Sequence, residues 1–173
     1  MSSYPELFPN QPADAYIWIY SADRSVTAAE SNHILLSVQD FLSTWTSHDQ
    51  PVVAEAATVE ERFLVIAAHI PGGDISGCGI DKLDRAVTGA GIDVGVQWLD
   101  GLAVLYRSNP GIISAVSRSD FARLAAKATV GAETIVFDTS VHSLSELRSH
   151  GLERPVAESW HGSVFQIEST VGA

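Results

Sequence analysis

The residues best suited to chemistry lie between Pro71 and Gly79, a segment that holds four glycines in nine residues. Successive backbone N–H groups in such a loop can form a nest for an anion, and the positive end of a following helix strengthens it. The segment therefore predicts either an anion-binding loop over residues 72–82 or a tight strand-to-helix connection that needs glycine for its geometry. The donors of the anion-binding loop would be Gly73, Ser76, Gly77 and Gly79.

Cys78, the only cysteine, lies just before the predicted start of a helix. The positive end of that helix would stabilise a thiolate, which is the nucleophilic form of the side chain. His69 is the nearest histidine in the sequence and the candidate base. Asp74 and Asp81 flank the loop and oppose a thiolate, and a free cysteine is commonly a small buried apolar residue. Two interpretations of Cys78 therefore stay open: a catalytic or redox thiol served by His69, and a core residue.

Trp160 and His161 stand in a polar context with no clear periodicity. They either line a pocket or hold the C-terminal segment on the domain, and the second interpretation is favoured. In an enzyme, that pocket would bring Trp160 or His161 together with Cys78 and His69. The six histidines show no His-x-x-x-His spacing and one cysteine cannot build a Cys-rich zinc site, so we expect no metal and no cofactor.

The charge balance narrows the classes of partner. The chain has 173 residues, with 10 Lys+Arg against 21 Asp+Glu and a formal net charge of -11. Because phosphate binding needs clustered cations, we expect no nucleic-acid partner. No stretch reaches the ~18 consecutive apolar residues of a membrane span, so we expect no membrane partner. The first residues also lack the cationic region of a secretory signal, so we expect a cytoplasmic protein.

The kinds of charge are also unusual. Only Lys82 and Lys127 are lysines, while the acids are many. This composition is typical of a halophile, in which salt screens the self-repulsion of a highly charged surface. We therefore expect the melting temperature to rise from low to molar KCl.

Hydrophobic periodicity predicts a β-α-β-β-α-β order in the first part of the chain. The four predicted strands are 15–20, 52–59, 62–70 and 94–99. The first helix begins at a capping box of Thr27 and Glu30 and carries an apolar stripe over residues 34–45. The second helix follows Gly79 and ends just before Gly91. This order predicts a split, ferredoxin-like core of the α+β class.

The rest of the chain predicts further antiparallel strands and short C-terminal helices. Asp100-Gly101 predicts a two-residue hairpin turn after the strand over 94–99, and Asn109-Pro110-Gly111 predicts the next turn. Ser119 predicts a helix cap, and Ser143 with Glu146 forms a second capping box. We expect one domain over residues 1–173, with an irregular lead-in over 1–14 and a C-terminal extension over 152–173.

Several segments together resemble a small uncharacterised bacterial family whose members often carry the label "ABC transporter ATPase". They are Trp18-Ile19-Tyr20, the helix end Phe41…Trp45…His48, Arg62-Phe63-Leu64, Ser76-Gly77-Cys78-Gly79-Ile80-Asp81, Thr134…Phe137-Asp138 and Ser159-Trp160. The label implies ATP hydrolysis, which needs a Walker A loop with Gly-Lys-Ser/Thr. Neither Lys82 nor Lys127 stands in such a loop, so we expect no ATPase activity. The resemblance assigns no catalytic residue to this chain.

These observations favour a non-enzymatic, acidic binding or interaction domain, because no complete catalytic constellation is present. Its partner would be a protein or a small-molecule ligand, and we expect a homodimer that forms through a sheet face or an edge strand. The alternative is a small enzyme or anion-binding protein centred on loop 72–82, with Cys78 as the reactive thiol. RNA binding through the sheet face ranks last, because the RNP1 pattern is missing and the charge is negative.

Overall fold

The computed structural model describes residues 4–168, which confirm the α+β class with antiparallel sheets. The chain forms two compact units, Met1–Leu99 with Val141–Ser149, and Asp100–Ser140 with His150–Ala173. The expectation of one domain over 1–173 therefore stays a prediction. Residues 1–3 of the predicted lead-in and 169–173 of the predicted extension lie outside the described residues.

The first unit carries most of the predicted β-α-β-β-α order. Its elements are a short 3₁₀ helix Tyr4–Glu6, β1 Tyr16–Ser21, α1 Ala28–Thr44, β2 Thr46–Ser47, β3 Gln50–Pro51, β4 Val53–Val59, β5 Phe63–His69 and α2 Gly77–Asp93. The three long strands form an antiparallel sheet in the order β1-β5-β4, and β2 pairs with β3. A split β-α-β-β arrangement requires this sheet order, since the third strand lies between the first two.

α1 begins and packs as its sequence predicts. The Thr27 side chain accepts the Glu30 N–H, and the Glu30 carboxylate accepts the Thr27 N–H, so both halves of the capping box form. Ile34, Val38 and Leu42 are buried, and they lie against the even-numbered residues of β5. The helix therefore covers one face of the sheet with a stripe of 3.6-residue period.

The predicted strand over 94–99 is reduced to one isolated bridge, between Ala22 and Trp98. The Val94 and Val96 N–H groups both donate to the Gly91 carbonyl, so the chain still winds around the end of α2 there. This segment lies beside β1, where the fourth strand of a ferredoxin-like sheet belongs. The predicted hairpin at Asp100-Gly101 does not form, because the next strand pairs elsewhere.

The second unit has a sheet of its own. Its elements are β6 Val104–Asn109, β7 Ile112–Val116, α3 Arg118–Ala126, β8 Ile135–Phe137, β9 Glu153–Pro155, a 3₁₀ helix Val156–Glu158 and α5 Trp160–Phe165; α4, Leu144–His150, precedes β9 and belongs mainly to the first unit. The antiparallel order is β7-β6-β8-β9. Phe121, Val136 and Val156 are fully buried in its core, so residues 152–168 of the predicted extension contribute to packing. Ser117, rather than Ser119, caps α3.

The lead-in of the first unit is held by α4. The Arg148 guanidinium donates to the carbonyl oxygens of Leu7 and Phe8 at 3.1 and 2.6 Å. Phe8 and Gln11 are buried. The lead-in is therefore irregular, as predicted, but its backbone is fixed by a charged donor.

Candidate functional site

The predicted anion-binding loop uses its donors internally. The Ser76 N–H donates to Ser47 Oγ at 2.9 Å, and the Gly79 N–H donates to Ser76 Oγ at 3.1 Å. The Gly73 N–H donates to the Ile70 carbonyl at 3.1 Å. Three of the four predicted donors therefore have partners, and only the Gly77 N–H has none among residues 4–168.

The glycines serve the geometry of the connection. Gly72 has a φ of 71°, which favours glycine, and a Cβ on Gly79 would lie 3.0 Å from Ser47 Oγ. By contrast, a Cβ on Gly77 would have open space around it. Since α2 begins at Gly77, the predicted loop is shorter than expected, and Ser76 is the N-cap. These contacts support a tight strand-to-helix connection.

Cys78 is exposed on the first turn of α2. The interpretation as a buried core residue is therefore wrong, and the thiol is accessible to solvent. No hydrogen bond joins Cys78 to another side chain within residues 4–168. The exposed thiol is compatible with a reactive function, but no side chain among residues 4–168 is placed to activate it.

His69 does not face the helix that carries Cys78. The side chains of Leu64, Ile66 and Ala68 lie in the core with α1 and α2. Because side chains alternate along a strand, His69 points to the opposite face of the sheet. There its Nδ1 lies 2.8 Å from Gln11 Oε1, an acceptor, so this nitrogen carries the proton. The structure therefore does not bring the predicted base to the predicted nucleophile.

Trp160 and His161 belong to the second unit, where they hold α5. The Trp160 indole N–H donates to Asp138 Oδ1 at 3.2 Å, and the same oxygen accepts the Ser140 N–H and hydroxyl. The His161 ring stacks on Trp160 with 3.7 Å between centroids. This arrangement supports the interpretation that the pair holds the C-terminal segment.

The His161 ring is almost fully buried, with 1% exposure. Burial lowers the pKa of His161 from 6.5 to about 4, opposed by nearby Asp138 and assisted by Arg118. Its Nδ1 lies 3.1 Å from the hydroxyl of Ser159, which caps α5. The imidazole is therefore neutral in the folded protein near neutral pH.

An unpaired strand edge is the feature that sequence reasoning did not locate. The Ala22 N–H donates to the Arg62 carbonyl at 2.8 Å, one residue beyond the β1–β5 register, so the Arg62 carbonyl points toward β1. Hydrogen-bonded pairs alternate in an antiparallel ladder, so even-numbered residues of β5 bond β1 and odd-numbered residues bond β4. In the register of β4 with β5, the residues of β4 that point outward are Ala54, Ala56 and Thr58.

The two edges of this sheet differ. The outer edge of β1 is covered, since the Ile17 N–H donates to the His142 carbonyl and the Leu99 N–H donates to the Ser21 carbonyl. Along β4, β5 is the only strand that pairs with it in the part of the chain that the structure describes. No local sequence signal could mark this edge, because the order of strands depends on long-range pairing.

Residues 4–168 contain neither a metal-binding cluster nor a helix that could span a membrane. Within residues 4–168, no three His, Cys, Asp or Glu side chains lie close enough together to hold a metal ion. Over the same residues, no helix combines the length and apolar character needed to cross a bilayer.

Comparison of the chain with known protein families, with curated proteins and with solved structures finds no match.

Proposed function

We propose that the chain is a non-catalytic interaction module that binds an extended protein segment by strand addition to β4. The observation that carries the proposal is the row of outward backbone N–H and C=O groups on Ala54, Ala56 and Thr58. Such a row is a template for another strand, and main-chain hydrogen bonds supply most of the affinity in this mode of recognition.

The side chains of β4 suit a flat strand pairing. The strand reads Val-Ala-Glu-Ala-Ala-Thr-Val, with Glu55 as its only charge. Proteins usually protect an open edge with lysines, prolines or bulges. Val53–Val59 contains no lysine and no proline, and its register with β5 has no bulge. Its outer edge is therefore not protected against pairing.

The expected affinity is modest. Three outward residues offer six backbone hydrogen bonds at about 1 kcal/mol net each. A total of about 6 kcal/mol corresponds to a dissociation constant of roughly 40 µM, and the entropy cost of association weakens it toward about millimolar. This range suits a regulated contact, which extra side-chain contacts would strengthen.

A random peptide library selected on the immobilised full chain tests the proposal. In the variant Ala56→Pro, an outward N–H is lost while the ladder with β5 is kept, because proline fits an edge strand whose N–H faces solvent. Selected peptides should bind the unmodified chain and lose at least tenfold in affinity on Ala56→Pro. Gly77→Ala, on α2, is the matched control and should bind unchanged. Peptides that bind Ala56→Pro equally well would exclude the β4 edge.

The rival function, a reactive thiol at Cys78, rests on the exposure of that side chain at the start of α2. It ranks second because His69 faces the other side of the sheet. The alkylation rate of Cys78 against pH separates the two proposals. An inflection well below about 8.5, the ordinary thiol value, would favour the thiol function.

A further inference from the structure

We infer that the segment that binds β4 is β4 of a second copy of this chain, paired antiparallel in a register centred on Ala56. This inference rests on the proposed function of the β4 edge. It would join two three-stranded sheets into one continuous sheet across a two-fold axis.

The outward residues of β4 are self-complementary in this register. A two-fold axis at Ala56 pairs Ala56 with itself, and pairs Ala54 with Thr58 of the second copy. These residues are the ones whose backbone groups point outward, so every pair is of the hydrogen-bonded type. A shift by one residue would instead oppose groups that already bond β5.

The charge on β4 is compatible with a second copy despite the net charge of -11. The register sets Glu55, the only charged residue of β4, opposite Ala57 of the second copy rather than opposite another acid. Like charges directly opposite would destabilise a pair of strands. The strand is therefore compatible with itself at its one charged position.

The adjoining flank of α1 is also free of charge. Ser31 Oγ lies 2.7 Å from Thr58 Oγ1, so the flank of α1 that carries Ser31 is the one above β4. Leu35 and Gln39 follow at intervals of four residues and share that flank. The acids of α1 lie elsewhere; Glu30, for example, pairs with Arg24 in the first turn of the helix. Two such flanks would approach each other across the axis without repulsion between acids.

One repulsion remains and makes the pairing sensitive to salt. The two copies of Glu55 would be diagonal neighbours on one face, about 7–8 Å apart. Glu55 Oε1 accepts a bond from Asn10 at 3.4 Å, while Oε2 is buried without a partner among residues 4–168. Salt screens this repulsion, so dimerisation should strengthen as KCl rises.

Sedimentation velocity of the full chain, over a concentration series in low and molar KCl, tests the inference. We expect a monomer–dimer equilibrium that shifts toward dimer with salt. Glu55→Gln should tighten the dimer about two- to tenfold at low salt and weaken its salt dependence. Asp40→Asn removes the same charge from an exposed position of α1, away from β4, and should change the dissociation constant less than twofold. Ala56→Pro should abolish the dimer.

Amide hydrogen exchange supplies an independent readout. On dimerisation, the N–H groups of Ala54, Ala56 and Thr58 should gain protection, while those of Glu55 and Ala57 are protected already. A dimer that persists in Ala56→Pro, or that leaves these amides unprotected, would overturn the inference. A strict monomer that still binds selected peptides at β4 would overturn the second copy alone. A monomer whose peptides ignore Ala56→Pro would overturn the proposed function as well.

Discussion

Arg62 Nε donates to the carbonyl oxygen of Ala22 at 2.9 Å, and a terminal nitrogen of Arg62 donates to the Asp23 carbonyl at 3.1 Å. Arg62 is 6% exposed, and burial lowers its pKa while Asp23 opposes that shift. The guanidinium therefore fixes the chain that leaves β1 to the base of the β4–β5 hairpin.

Arg62→Met should destabilise the fold by about 2–4 kcal/mol, because buried carbonyl oxygens lose charged donors while the apolar stem is kept. Urea unfolding at neutral pH measures the change. Arg85→Met, at an exposed position of α2, is the control and should change stability by less than about 0.5 kcal/mol. Equal effects of the two substitutions would contradict the role assigned to Arg62.

Two glycines at the start of α2 should respond in opposite directions. Gly79→Ala should cost about 1–3 kcal/mol, because its Cβ would meet Ser47 Oγ at 3.0 Å and Ser47 Cβ at 3.2 Å. Gly77→Ala has open space and should stabilise the helix by about 0.5–1 kcal/mol. The difference in urea midpoint between the two variants measures this; a loss of stability in both would show that Gly77 also has a required geometry.

Local signals predicted the elements whose ends are determined by neighbouring residues. The capping box of Thr27 and Glu30 and the stripe of Ile34, Val38 and Leu42 place α1 within a residue of its observed start. Asn109-Pro110-Gly111 joins β6 to β7, with Gly111 at a φ of 76°. In each case the decisive contacts lie within a few residues, which a sequence pattern can register.

Long-range contacts decided the elements that the sequence did not predict. Gly91 was predicted to follow the end of α2 but lies inside the helix. Glycine is needed there because a Cβ would lie 2.6 Å from Trp98 Nε1, and the Trp98 indole donates to the Val87 carbonyl. This contact keeps residues 94–99 close to the helix and limits their pairing with β1 to a single bridge. Likewise, strand register turns the His69 side chain to the face of the sheet opposite α2, which carries Cys78. The short separation of the two residues in sequence could not reveal this.

The hairpin between β4 and β5 has two glutamates with left-handed backbones, at a φ of 56° for Glu60 and 52° for Glu61. Such a conformation costs a residue with a Cβ about 1 kcal/mol, which glycine avoids. Glu61→Gly should therefore raise the free energy of unfolding by about 0.5–1 kcal/mol. Glu61→Gln removes the same charge but keeps the Cβ, so it separates backbone strain from repulsion. Equal stabilisation by both variants would assign the effect to charge.

His161 should make the fold less stable in mild acid. Burial holds the pKa of His161 at about 4 in the folded chain, against 6.5 ordinarily. Between these values the unfolded chain takes up a proton that the folded chain does not, so stability rises with pH through this window. Above about pH 6.5, His161 is neutral in both states and does not lower the free energy of unfolding. As the pH falls to about 4, protonation of His161 in the unfolded chain lowers that free energy by about 3 kcal/mol.

His161→Phe isolates this contribution, since a phenyl ring keeps an aromatic stack on Trp160 but cannot titrate. Urea unfolding at pH 7 and pH 4.5 should show a larger loss of stability in the unmodified chain than in His161→Phe, because only the unmodified chain has the titrating imidazole. The carboxylates titrate in both proteins, so their effect cancels in the comparison. Asp138 and Arg118, the charged groups that act on the ring, are common to both. Equal losses in the two proteins would mean that His161 is protonated in the folded chain, and that Asp138 stabilises the imidazolium against burial.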